Sequence, residues 1–477
     1  MTSDAVARDV APFAMTIGGE PVATEQTFGV INPATGEVFA ESPDCTAEQL
    51  DLAVDAAAQA FRQWSRDEDR RRRAVLACAD VIEAHAEQLA ALRTREQGMV
   101  LKDSLRFARR WPARIRDFAT IPIPVEVVQD DDVARVELRR RPLGVVAAIA
   151  PWNFPVLLAM AKVVNALIAG NTVVLKPSPY TPLTTLRIGE LLCDVLPPGV
   201  LNVVAGGDDL GSLLTHHPGV SKISFTGSVE AGLQVAAAAA KDLKRVTLEL
   251  GGNDAAIVLD DVDVDRVTDA LIDQITFNCG QVCIAVKRVY VHEHVYPALV
   301  EALAERAGSL RLGDGMDPDT DMGPLCNAMQ VERVTELVDD AKAAGGQAVT
   351  GGQRPARPGY FYPATIVTNV SDGVRLVDEE QFGPVLPVMP FADVEDAVRR
   401  ANATTYGLGG SVWSADTARA TEVASQLECG VAWVNRHTRT DYRVPMGGWK
   451  SSGIGVERGV QGLDAYCRLQ AIDVPKS

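Results

Sequence analysis

Two short stretches of the sequence carry side chains that could form and then release a covalent intermediate. Cys283 follows a Gly-Gln-Val run, and upstream of it Glu249 is flanked by two leucines and followed by two glycines. A thiolate is a strong nucleophile, and a positioned carboxylate can activate the water that releases a bound intermediate. The pair predicts a thiol nucleophile with a separate base. The alternative is a buried, unreactive Cys283, since free cysteine is among the most buried residue types.

A side-chain amide in a third stretch could stabilise negative charge. Asn153 lies in the sequence Pro-Trp-Asn-Phe-Pro at 151–155, between a predicted strand and a predicted helix. An amide there can donate a hydrogen bond to a developing oxyanion, an interaction typically worth about 2.7–4 kcal/mol. The alternative is an asparagine that caps the helix N-terminus.

Three further stretches could bind a nucleotide. Lys-Pro-Ser at 176–178 follows an apolar run, and Phe-Thr-Gly-Ser at 225–228 precedes a predicted helix, whose first N–H groups can hold a pyrophosphate. The sequence at 379–384 adds a carboxylate and an aromatic ring. An exposed lysine and a solvated turn are the alternatives for the first and last stretches. No G-x-G-x-x-G follows the first strand, so a dinucleotide would be held differently from one in an ordinary Rossmann fold.

A His-Glu-His run at 292–294 has the appearance of a metal-binding pair. Alternate residues of a strand share a face, but neither a third ligand nor an H-E-x-x-H pattern accompanies the run in the sequence. We interpret it as structural and predict no metal site.

Charge and composition narrow the class of protein. The chain carries 46 basic and 63 acidic residues, a net charge of −17, so we predict neither nucleic acid nor a membrane as a partner. The uncharged stretch 142–161 is broken by glycine and proline, which favours a strand, a loop and a helix start over a membrane helix. Eight cysteines without a recognisable secretory leader predict reduced thiols and a cytoplasmic location.

Apolar strands alternate with amphipathic helices around these stretches. Over 143–250 the alternation predicts a doubly wound parallel sheet, whose ligand crevice lies at the carboxyl ends of its strands. The motif residues that fall at such ends are Trp152, Asn153, Lys176, Gly227 and Glu249. Earlier in the chain, a single helix is predicted over 68–96.

The length predicts two large domains, because single cores stop growing at roughly 250–300 residues. We predict a dinucleotide-binding domain from 1–120 and 142–250, and a catalytic domain from 251–450. The alternating pattern at 121–141 indicates a two-stranded ribbon too small to be stable alone. We therefore predict that 121–141 and 460–477 are oligomerisation strands, and that the C-terminal tail pairs with the ribbon.

Together, the motifs resemble those of the NAD(P)-dependent aldehyde dehydrogenase superfamily, in that family's order and spacing. They lie at 151–155, 176–178, 225–228, 249–252, 280–283, 380–384 and 445–455. The resemblance covers nearly the full chain and implies an aldehyde dehydrogenase-like α/β fold of two doubly wound domains with a small β oligomerisation arm. It also implies a small-molecule aldehyde substrate, NAD or NADP as cofactor, and a homodimer or homotetramer.

The resemblance implies a role for each matching position. Cys283 would attack the aldehyde carbon, and the oxyanion would be held by the Asn153 amide and the Cys283 backbone N–H. Hydride transfer would leave a thioester, which Glu249-activated water would hydrolyse to a carboxylic acid. The implied cofactor contacts are Ile149, Trp152, Lys176, Ser178, Gly227, Ser228, Glu380 and Phe382. The implied substrate-lining residues are Phe154, Phe277 and Met446.

Two departures from the family pattern bear on cofactor and substrate. Pro179 stands where NAD-preferring members often carry a glutamate that binds both ribose hydroxyls, so use of NADP is predicted beside NAD. Met446 stands where many relatives carry an aromatic residue, which predicts a roomy, apolar tunnel. Arg436, Arg439 and Arg443 near its mouth could bind a carboxylated aldehyde, with a surface role for each as the alternative.

Two rival functions remain open from the sequence. One is an acylating dehydrogenase that transfers the acyl group to coenzyme A, against which Glu249 argues because thiolysis needs no water-activating base. The other is a non-catalytic binding protein on the same fold, against which the presence of Cys283, Glu249 and Asn153 argues.

Overall fold

The computed structural model describes residues 12–439 and 441–476. Residues 1–11 of the predicted dinucleotide-binding domain, residue 440 and residue 477 at the end of the predicted C-terminal strand lie outside the described part. The strands are β1 Met15–Ile17, β2 Glu20–Val22, β3 Thr27–Asn32, β4 Glu37–Pro43, β5 Glu126–Asp130, β6 Ala134–Pro142, β7 Val145–Ile149, β8 Thr172–Lys176, β9 Leu201–Val203, β10 Val220–Thr226, β11 Arg245–Glu249, β12 Asp254–Val258, β13 Val286–His292, β14 Gln347–Thr350, β15 Thr365–Thr368, β16 Val385–Phe391, β17 Gly409–Trp413, β18 Val431–Val434, β19 Gly453–Ile454 and β20 Cys467–Pro475.

The helices cover the faces of these strands. They are α1 Ala47–Trp64, α2 Glu68–Ala84, α3 Ala86–Gln97, α4 Leu101–Phe118, α5 Pro155–Ala169, α6 Leu183–Leu192, α7 Asp208–His216, α8 Val229–Lys241, α9 Val264–Thr276, α10 Tyr296–Gly308, α11 Ala328–Ala343, α12 Arg375–Asp378, α13 Val394–Asn402, α14 Thr417–Ala424 and α15 Gly459–Asp464. Two short 3-10 helices lie at Phe277–Gly280 and Lys450–Ser452. Among the described residues, no helix combines the length and the apolar character that a membrane crossing requires.

The first large sheet is built on buried parallel strands. Within the described residues it has eight strands in the order β19-β11-β10-β7-β8-β9-β1-β2, and β11, β10, β7, β8 and β9 run parallel. Strands β7 and β8 are apolar and buried along their whole length, as expected where helices cover both faces of a sheet. The predicted doubly wound arrangement is confirmed.

The register of this sheet brings its carboxyl ends together. Ile149 pairs with Lys176 on one side and with Phe225 on the other, and Thr226 pairs with Glu249. The predicted site residues of this half of the chain therefore stand at one edge, as the alternation of strands and helices indicated.

The second large sheet contributes to the site from the amino ends of its strands, whereas the first contributes from the carboxyl ends. Within the described residues its order is β14-β15-β16-β13-β12-β17-β18, parallel throughout except for β14. Cys283 lies just before β13, at the amino end of this sheet, whereas Glu249 ends β11 at the carboxyl edge of the other. The two candidate groups thus come from different sheets.

A third sheet joins the two segments predicted to form the arm, the ribbon at 121–141 and the C-terminal tail. Strands β20, β6 and β5 form it, and β20 pairs with β6 from Cys467 opposite Pro142 to Pro475 opposite Ala134. The prediction that the C-terminal tail pairs with the ribbon is confirmed. The division into domains and the role of the arm in assembly stay predictions.

The single helix predicted over 68–96 is wrong. Helix α2 ends at Ala84 and α3 begins at Ala86, because His85 leaves the helical conformation with φ −110° and ψ 14°. Its Nδ1 lies 2.8 Å from the Val81 carbonyl oxygen, a group that a continuing helix would bind through a backbone N–H. The apolar spacing runs through the break, so periodicity alone did not reveal it.

Candidate active site

One buried lysine fastens the loop that carries Cys283. The Lys287 Nζ donates hydrogen bonds to the carbonyl oxygens of Val282 at 2.7 Å, Cys283 at 2.8 Å and Ala285 at 3.4 Å. Hydrogen bonds from a charged donor are stronger than neutral ones, so three of them fix the path of the loop. The sequence interpretation missed Lys287, because lysine is usually exposed and its position near a strand start carries no other signal.

A left-handed turn precedes this loop. Asn278, Cys279 and Gly280 have φ of 52°, 54° and 69°, a conformation that costs a non-glycine residue on the order of 1–3 kcal/mol. At Gly280 a Cβ atom would lie 2.3 Å from the Gly383 carbonyl oxygen, so only glycine fits. Strain of this size persists only where surrounding contacts enforce it, and here it sets the direction in which the chain enters the Cys283 loop.

The Asn153 amide is bound into the same loop. Its Nδ2 donates to the Gln281 carbonyl oxygen at 2.9 Å, and the Asn278 Nδ2 donates to the Asn153 carbonyl oxygen at 3.0 Å. Gln97 holds Asn278 in turn through a 2.7 Å bond to its Oδ1. The amide nitrogen has two N–H groups, so one remains for a ligand. Asn153 does not cap helix α5, whose N-cap residue is Phe154 without a side-chain bond, so that alternative is wrong.

Glu249 is buried with an unpartnered oxygen. The residue is 6 % exposed, and within the described residues its Oε1 has no hydrogen-bond partner. Burial and the nearby Glu457 carboxylate raise the pKa of Glu249 well above its usual value, while Lys162 and Arg458 oppose the shift. The carboxyl therefore holds its proton to a higher pH than an ordinary glutamate, which brings it closer to the range in which a general base works best.

A buried ion pair stands beside Glu249. The Lys162 ammonium is fully buried in helix α5 and pairs with the Glu457 carboxylate. Glu457 is itself fixed by backbone bonds to Met446 in both directions. Neither residue was predicted. A lysine inside an otherwise apolar helix was the available signal, since such a charge is stable only when paired.

Two glycines let the Glu249 strand approach the cysteine loop. A Cβ at Gly252 would lie 2.5 Å from the Cys283 carbonyl oxygen, and one at Gly251 would lie 2.3 Å from Glu380 Oε2. A larger residue at Gly252 would push the backbone of the cysteine loop away, and one at Gly251 would displace the Glu380 carboxylate. The close approach to the cysteine loop thus requires Gly252, and the position of Glu380 requires Gly251.

Lys176 is the predicted cofactor contact with spare bonding capacity. It is 3 % exposed, and its Nζ donates a 3.3 Å bond to the Pro177 carbonyl oxygen. Among the described residues no carboxylate lies within ion-pair distance, and burial lowers its pKa to about 8 against the charges of Asp208 and Asp44. An ammonium has three N–H groups, so Lys176 can still bind oxygens such as ribose hydroxyls. The exposed-lysine alternative is wrong.

Gly227 and Ser228 are already engaged within the fold. The Gly227 N–H donates to the Glu249 carbonyl oxygen at 3.1 Å, and the Ser228 Oγ accepts the Ala231 N–H at 3.2 Å as the N-cap of α8. The pyrophosphate-binding capacity of this segment therefore belongs to the free N–H groups in the first turn of α8.

Glu380 and Phe382 are held in place by the same residues that hold the cysteine loop. The Glu380 Oε1 accepts the Gly252 N–H at 3.0 Å and lies 3.6 Å from the Lys287 Nζ, and burial raises its pKa. The Phe382 ring meets Trp152 edge-on, with centroids 5.4 Å apart. The solvated-turn alternative is wrong.

The two remaining predicted cofactor contacts flank this region. Ile149 ends β7 and is 9 % exposed, and the Ser178 Oγ accepts the Tyr180 N–H at 3.3 Å.

The predicted substrate residues line one cavity with Cys283 and Glu249. The cavity has a volume of about 890 Å³, and Phe154, Phe277 and Met446 contribute to its wall. Phe107, which was not predicted, completes an aromatic group: its ring centroid lies 5.8 Å from that of Phe154 and 5.6 Å from that of Phe277. The cavity is roomy, as predicted, but its lining includes many charged side chains as well as apolar ones.

The His-Glu-His run has a third neighbouring group that the sequence did not reveal. The ligand atoms of Asp260, His292 and His294 lie within 4.8 Å of one another. Asp260 already pairs with Arg419 at 2.7 Å, and the His292 Nδ1 accepts the His294 N–H at 3.3 Å. These partners use part of the bonding capacity that a metal would need, and the absence of a metal site stays a prediction.

Replacing Lys287 by methionine tests the fastening of the loop. Three carbonyls lose a charged donor, so we expect Lys287→Met to lower the free energy of unfolding by about 3 kcal/mol. Burial raises the pKa of the Cys283 thiol to about 12, and the Lys287 charge opposes this rise. Loss of that charge should therefore slow alkylation of Cys283 by several-fold, measured by peptide mass spectrometry beside urea unfolding. Lys241→Met, at an exposed position, is the control, and an unchanged alkylation rate in the folded variant would contradict the assignment.

Comparison with known proteins places this geometry in a family. A sequence model of the Aldehyde dehydrogenase family matches residues 21–472. Phenylacetaldehyde dehydrogenase of Pseudomonas fluorescens is 38 % identical over 484 aligned residues, covering 97 % of this chain and 95 % of that protein.

Solved structures agree over the same length. An aldehyde dehydrogenase from Bacillus cereus in complex with NAD+ has a TM-score of 0.97 and 35 % identity, covering 100 % of this chain and 99 % of that one. Betaine aldehyde dehydrogenase from Staphylococcus aureus in complex with NAD+ has a TM-score of 0.93 and 35 % identity, covering 97 % of this chain and 94 % of that one. The predicted aldehyde dehydrogenase-like fold is confirmed. The chain belongs to the aldehyde dehydrogenase family, whose enzymes oxidise aldehydes with NAD or NADP.

Proposed function

We propose that the enzyme oxidises an aldehyde to a carboxylic acid through a covalent intermediate on Cys283, with NAD or NADP as oxidant. One observation carries the proposal: the Cys283 thiol and the buried, unpartnered carboxyl oxygen of Glu249 face a single cavity. A nucleophile and a separate base at one cavity can form an acyl intermediate and then hydrolyse it.

The first step is attack of the Cys283 thiolate on the aldehyde carbon. The carbonyl oxygen becomes an oxyanion, which two donors can bind: the remaining N–H of the Asn153 amide and the backbone N–H of Cys283. Within the described residues that backbone N–H donates to no other group. Donors fixed before the reaction stabilise the developing charge without reorganisation.

The oxidising step requires a dinucleotide whose site the chain can supply. A bound nicotinamide would supply the hydride acceptor, and loss of hydride from the carbon attached to sulfur would leave a thioester on Cys283. Lys176 has the bonding capacity for ribose hydroxyls, the first turn of α8 for a pyrophosphate, and Glu380 for a second ribose. Trp152 and Phe382 provide an aromatic wall. Because Pro179 supplies no carboxylate near Lys176, use of NADP as well as NAD follows.

Hydrolysis of the thioester completes the cycle. Glu249 removes a proton from a water molecule as that water attacks the thioester carbonyl carbon. The carbon–sulfur bond breaks, Cys283 leaves as a thiolate, and the acid is released. The buried pair of Lys162 and Glu457 sets the charge around Glu249 and so the pH at which it can act as a base.

We propose that the arm makes the enzyme a homodimer or homotetramer. Large aliphatic side chains on the three-stranded sheet, in its turn and just before β5 are between 45 % and 71 % exposed to solvent. They are Val125, Val127, Val128, Val133, Leu469 and Val474. Exposed apolar groups concentrated on one small sheet mark a contact surface.

We also propose a cytoplasmic location, since all eight cysteines are free thiols.

The covalent mechanism predicts different failures for its two central residues. In Glu249→Gln the thioester forms but is not hydrolysed, so we expect a burst of reduced cofactor followed by a steady rate lowered by about 10²–10⁴-fold. Cys283→Ala should give neither burst nor turnover. The assay follows absorbance of the reduced nicotinamide with NAD and with NADP, and Cys467→Ala is the matched control.

Coenzyme A separates the main proposal from the acylating alternative. Hydrolysis predicts that added coenzyme A leaves Glu249→Gln inactive. Recovery of turnover on its addition would favour acyl transfer, and cofactor reduction by Cys283→Ala would overturn the covalent mechanism itself.

The environment of Glu249 predicts a shift in the pH profile. A raised pKa means that Glu249 becomes protonated, and hydrolysis slows, at a higher pH than for an ordinary glutamate. Glu457→Gln removes the carboxylate that helps to raise this pKa, so the acidic limb of kcat should move to lower pH. Steady-state rates from about pH 5 to about pH 9 measure it. Glu428→Gln, an exposed carboxylate paired with Lys450, is the control. If the acidic limb of the kcat profile does not move in a folded Glu457→Gln variant, the proposed effect of Glu457 on the pKa of Glu249 is contradicted.

The arm can be tested by charge. Val127→Asp combined with Leu469→Asp places two carboxylates on the exposed sheet, and burial of a charge in an interface is unfavourable. We expect the molar mass from light scattering to fall to that of a smaller assembly. Leu52→Asp, at a residue 60 % exposed on α1, should leave the mass unchanged. An unaltered mass in the arm variant would exclude the arm as the contact.

A further inference from the structure

The wall of the catalytic cavity is basic, although the chain is acidic. Arginines and lysines outnumber aspartates and glutamates in the lining, while the whole chain has a net charge of −17. A local excess of positive charge in such a chain needs a reason, because like charges brought together in a partly enclosed space repel.

Helix α4 separates its arginines into two kinds. Three of them have acidic partners: Arg106, which lines the cavity, pairs with Asp103 at 3.0 Å, and Arg109, outside the lining, pairs with Glu87 at 3.0 Å. Arg116 pairs with Asp80 at 2.7 Å. Carboxylates from α4 itself and from the neighbouring helices α2 and α3 thus pair with three of its arginines.

Arg110 and Arg114 on the same helix are the second kind. Both line the cavity, and within the described residues neither has an ion pair or a side-chain hydrogen bond. They are four positions apart, so they lie on one face of the helix, where like charges are destabilising.

Arg458 adds a third guanidinium from another part of the chain. It lines the same cavity and likewise has no acidic partner among the described residues. Its φ of 66° lies in the left-handed region, which is unfavourable for arginine. The next residue, Gly459, donates its N–H to the Tyr442 carbonyl oxygen at 2.7 Å, which helps to hold this conformation.

Arg110 and Arg458 both act on the guanidinium of Arg114. Burial lowers the pKa of Arg114, and the charges of Arg458 and Arg110 lower it further. Asp117 and Asp441 oppose this effect from outside ion-pair distance. Asp441 is already bound by Arg443, at 3.0 and 2.8 Å. Within the described residues no carboxylate lies at ion-pair distance from the three guanidiniums, although Arg458 acts on Glu249 from farther away.

We propose that Arg110, Arg114 and Arg458 form a subsite for a carboxylate at the end of the substrate remote from its aldehyde group. The proposal rests on the proposed function and adds a substrate class: aldehydes with an apolar or aromatic body and a terminal carboxylate. The body would pass the rings of Phe154 and Phe277.

The predicted carboxylate site is thereby moved. Arg443, one of the candidates from the sequence, is bound to Asp441 and does not line the cavity. Arg436 and Arg439 also line it and are exposed, as Arg110 is, but neither is among the charges that lower the pKa of Arg114. A planar guanidinium binds a carboxylate through two parallel hydrogen bonds, which suits the three cavity arginines to this ligand.

Matched substrates test the subsite. The kcat/KM of the wild-type enzyme is measured for 4-formylbenzoate and its methyl ester, and for suberic semialdehyde and its methyl ester, so that body length varies independently of charge. We expect the better-fitting acid to exceed its ester by about tenfold or more. The advantage should shrink with added salt, because the screening length falls from about 10 Å at 0.1 M to about 3 Å at 1 M.

Variants assign the preference to the cluster. Arg114→Met and Arg110→Met should each lower kcat/KM for the acid by about ten- to hundred-fold, mainly through KM, and change the ester by less than about threefold. Arg109→Met, on the same helix but outside the cavity lining, should leave both unchanged. Arg114→Lys keeps the charge but loses the planar fork, so it should retain part of the preference. Circular dichroism melts identify any variant that fails to fold, and Arg110→Met then stands in for Arg114→Met.

The outcomes separate the subsite from the reaction. The subsite would be overturned by equal kcat/KM for acid and ester in both wild-type pairs. It would also be overturned by an equal loss of kcat/KM for acid and ester in Arg114→Met and Arg110→Met. In either case, oxidation of the ester through Cys283 would still support the proposed function. Failure of the wild-type enzyme to oxidise either member of both pairs, or any other aldehyde, would overturn both.

Discussion

The close approach of two backbones, at Gly252 and Cys283, is the constraint on which the site depends. One strand end brings a base and the other segment brings a nucleophile, and they belong to different sheets. Side chains cannot fit between them, since a Cβ at Gly252 would reach the Cys283 carbonyl oxygen. That same carbonyl accepts a bond from Lys287, so one oxygen is both the point of closest approach and the point of attachment. Rigid placement of the thiol follows from this contact more than from any bond to the sulfur.

Buried charge is the second organising feature. Lys287 and the pair of Lys162 and Glu457 lie where water cannot compensate them, and each is stable because its partners are fixed by backbone geometry. Removing one partner of such a pair usually costs about 3–5 kcal/mol, whereas the intact pair adds little net stability. These buried charges therefore matter for their electrostatic effect on the site more than for their contribution to stability. The charges of Lys162 and Glu457 act on the pKa of Glu249 in opposite directions. The protonation of Glu249 is therefore sensitive to small changes in the positions of these two residues.

The sequence indicated the groups that react, and missed the groups that hold them. Cys283 and Asn153 stand in short motifs whose chemistry is apparent from residue type. The alternation of strands and helices placed Asn153, but not Cys283, at the carboxyl edge of the first sheet. Lys287, Lys162 and Glu457 carry no such local signal, because each acquires its meaning from a partner far away in the chain. Glu457 follows β19, which pairs with the edge of β11, so the contact between Lys162 and Glu457 depends on a strand pairing distant in sequence.

Two local features that the sequence did not reveal also depend on contacts outside the local pattern. The break at His85 depends on a side-chain contact within one helical turn, which hydrophobic periodicity averages away. Asp260 approaches the two histidines because β12 pairs with β13. Strand pairing of this kind is decided by the sheet as a whole, and a reading of the run at 292–294 alone could not include it.

Charge acts on the substrate at two distances. With a net charge of −17, the chain repels an anion in solution, but salt screens this repulsion beyond about 8 Å at physiological ionic strength. Inside the cavity the walls exclude part of the water and salt, so nearby guanidiniums act with much less screening. An anion that enters is therefore attracted by a few arginines at short range more strongly than the whole surface repels it. Uncompensated arginines then favour a bound carboxylate in proportion to the repulsion among themselves that it relieves. The unpaired state of Arg110, Arg114 and Arg458 is thus what gives the cavity its selectivity, since the same arginines paired with aspartate or glutamate would offer an anion little gain.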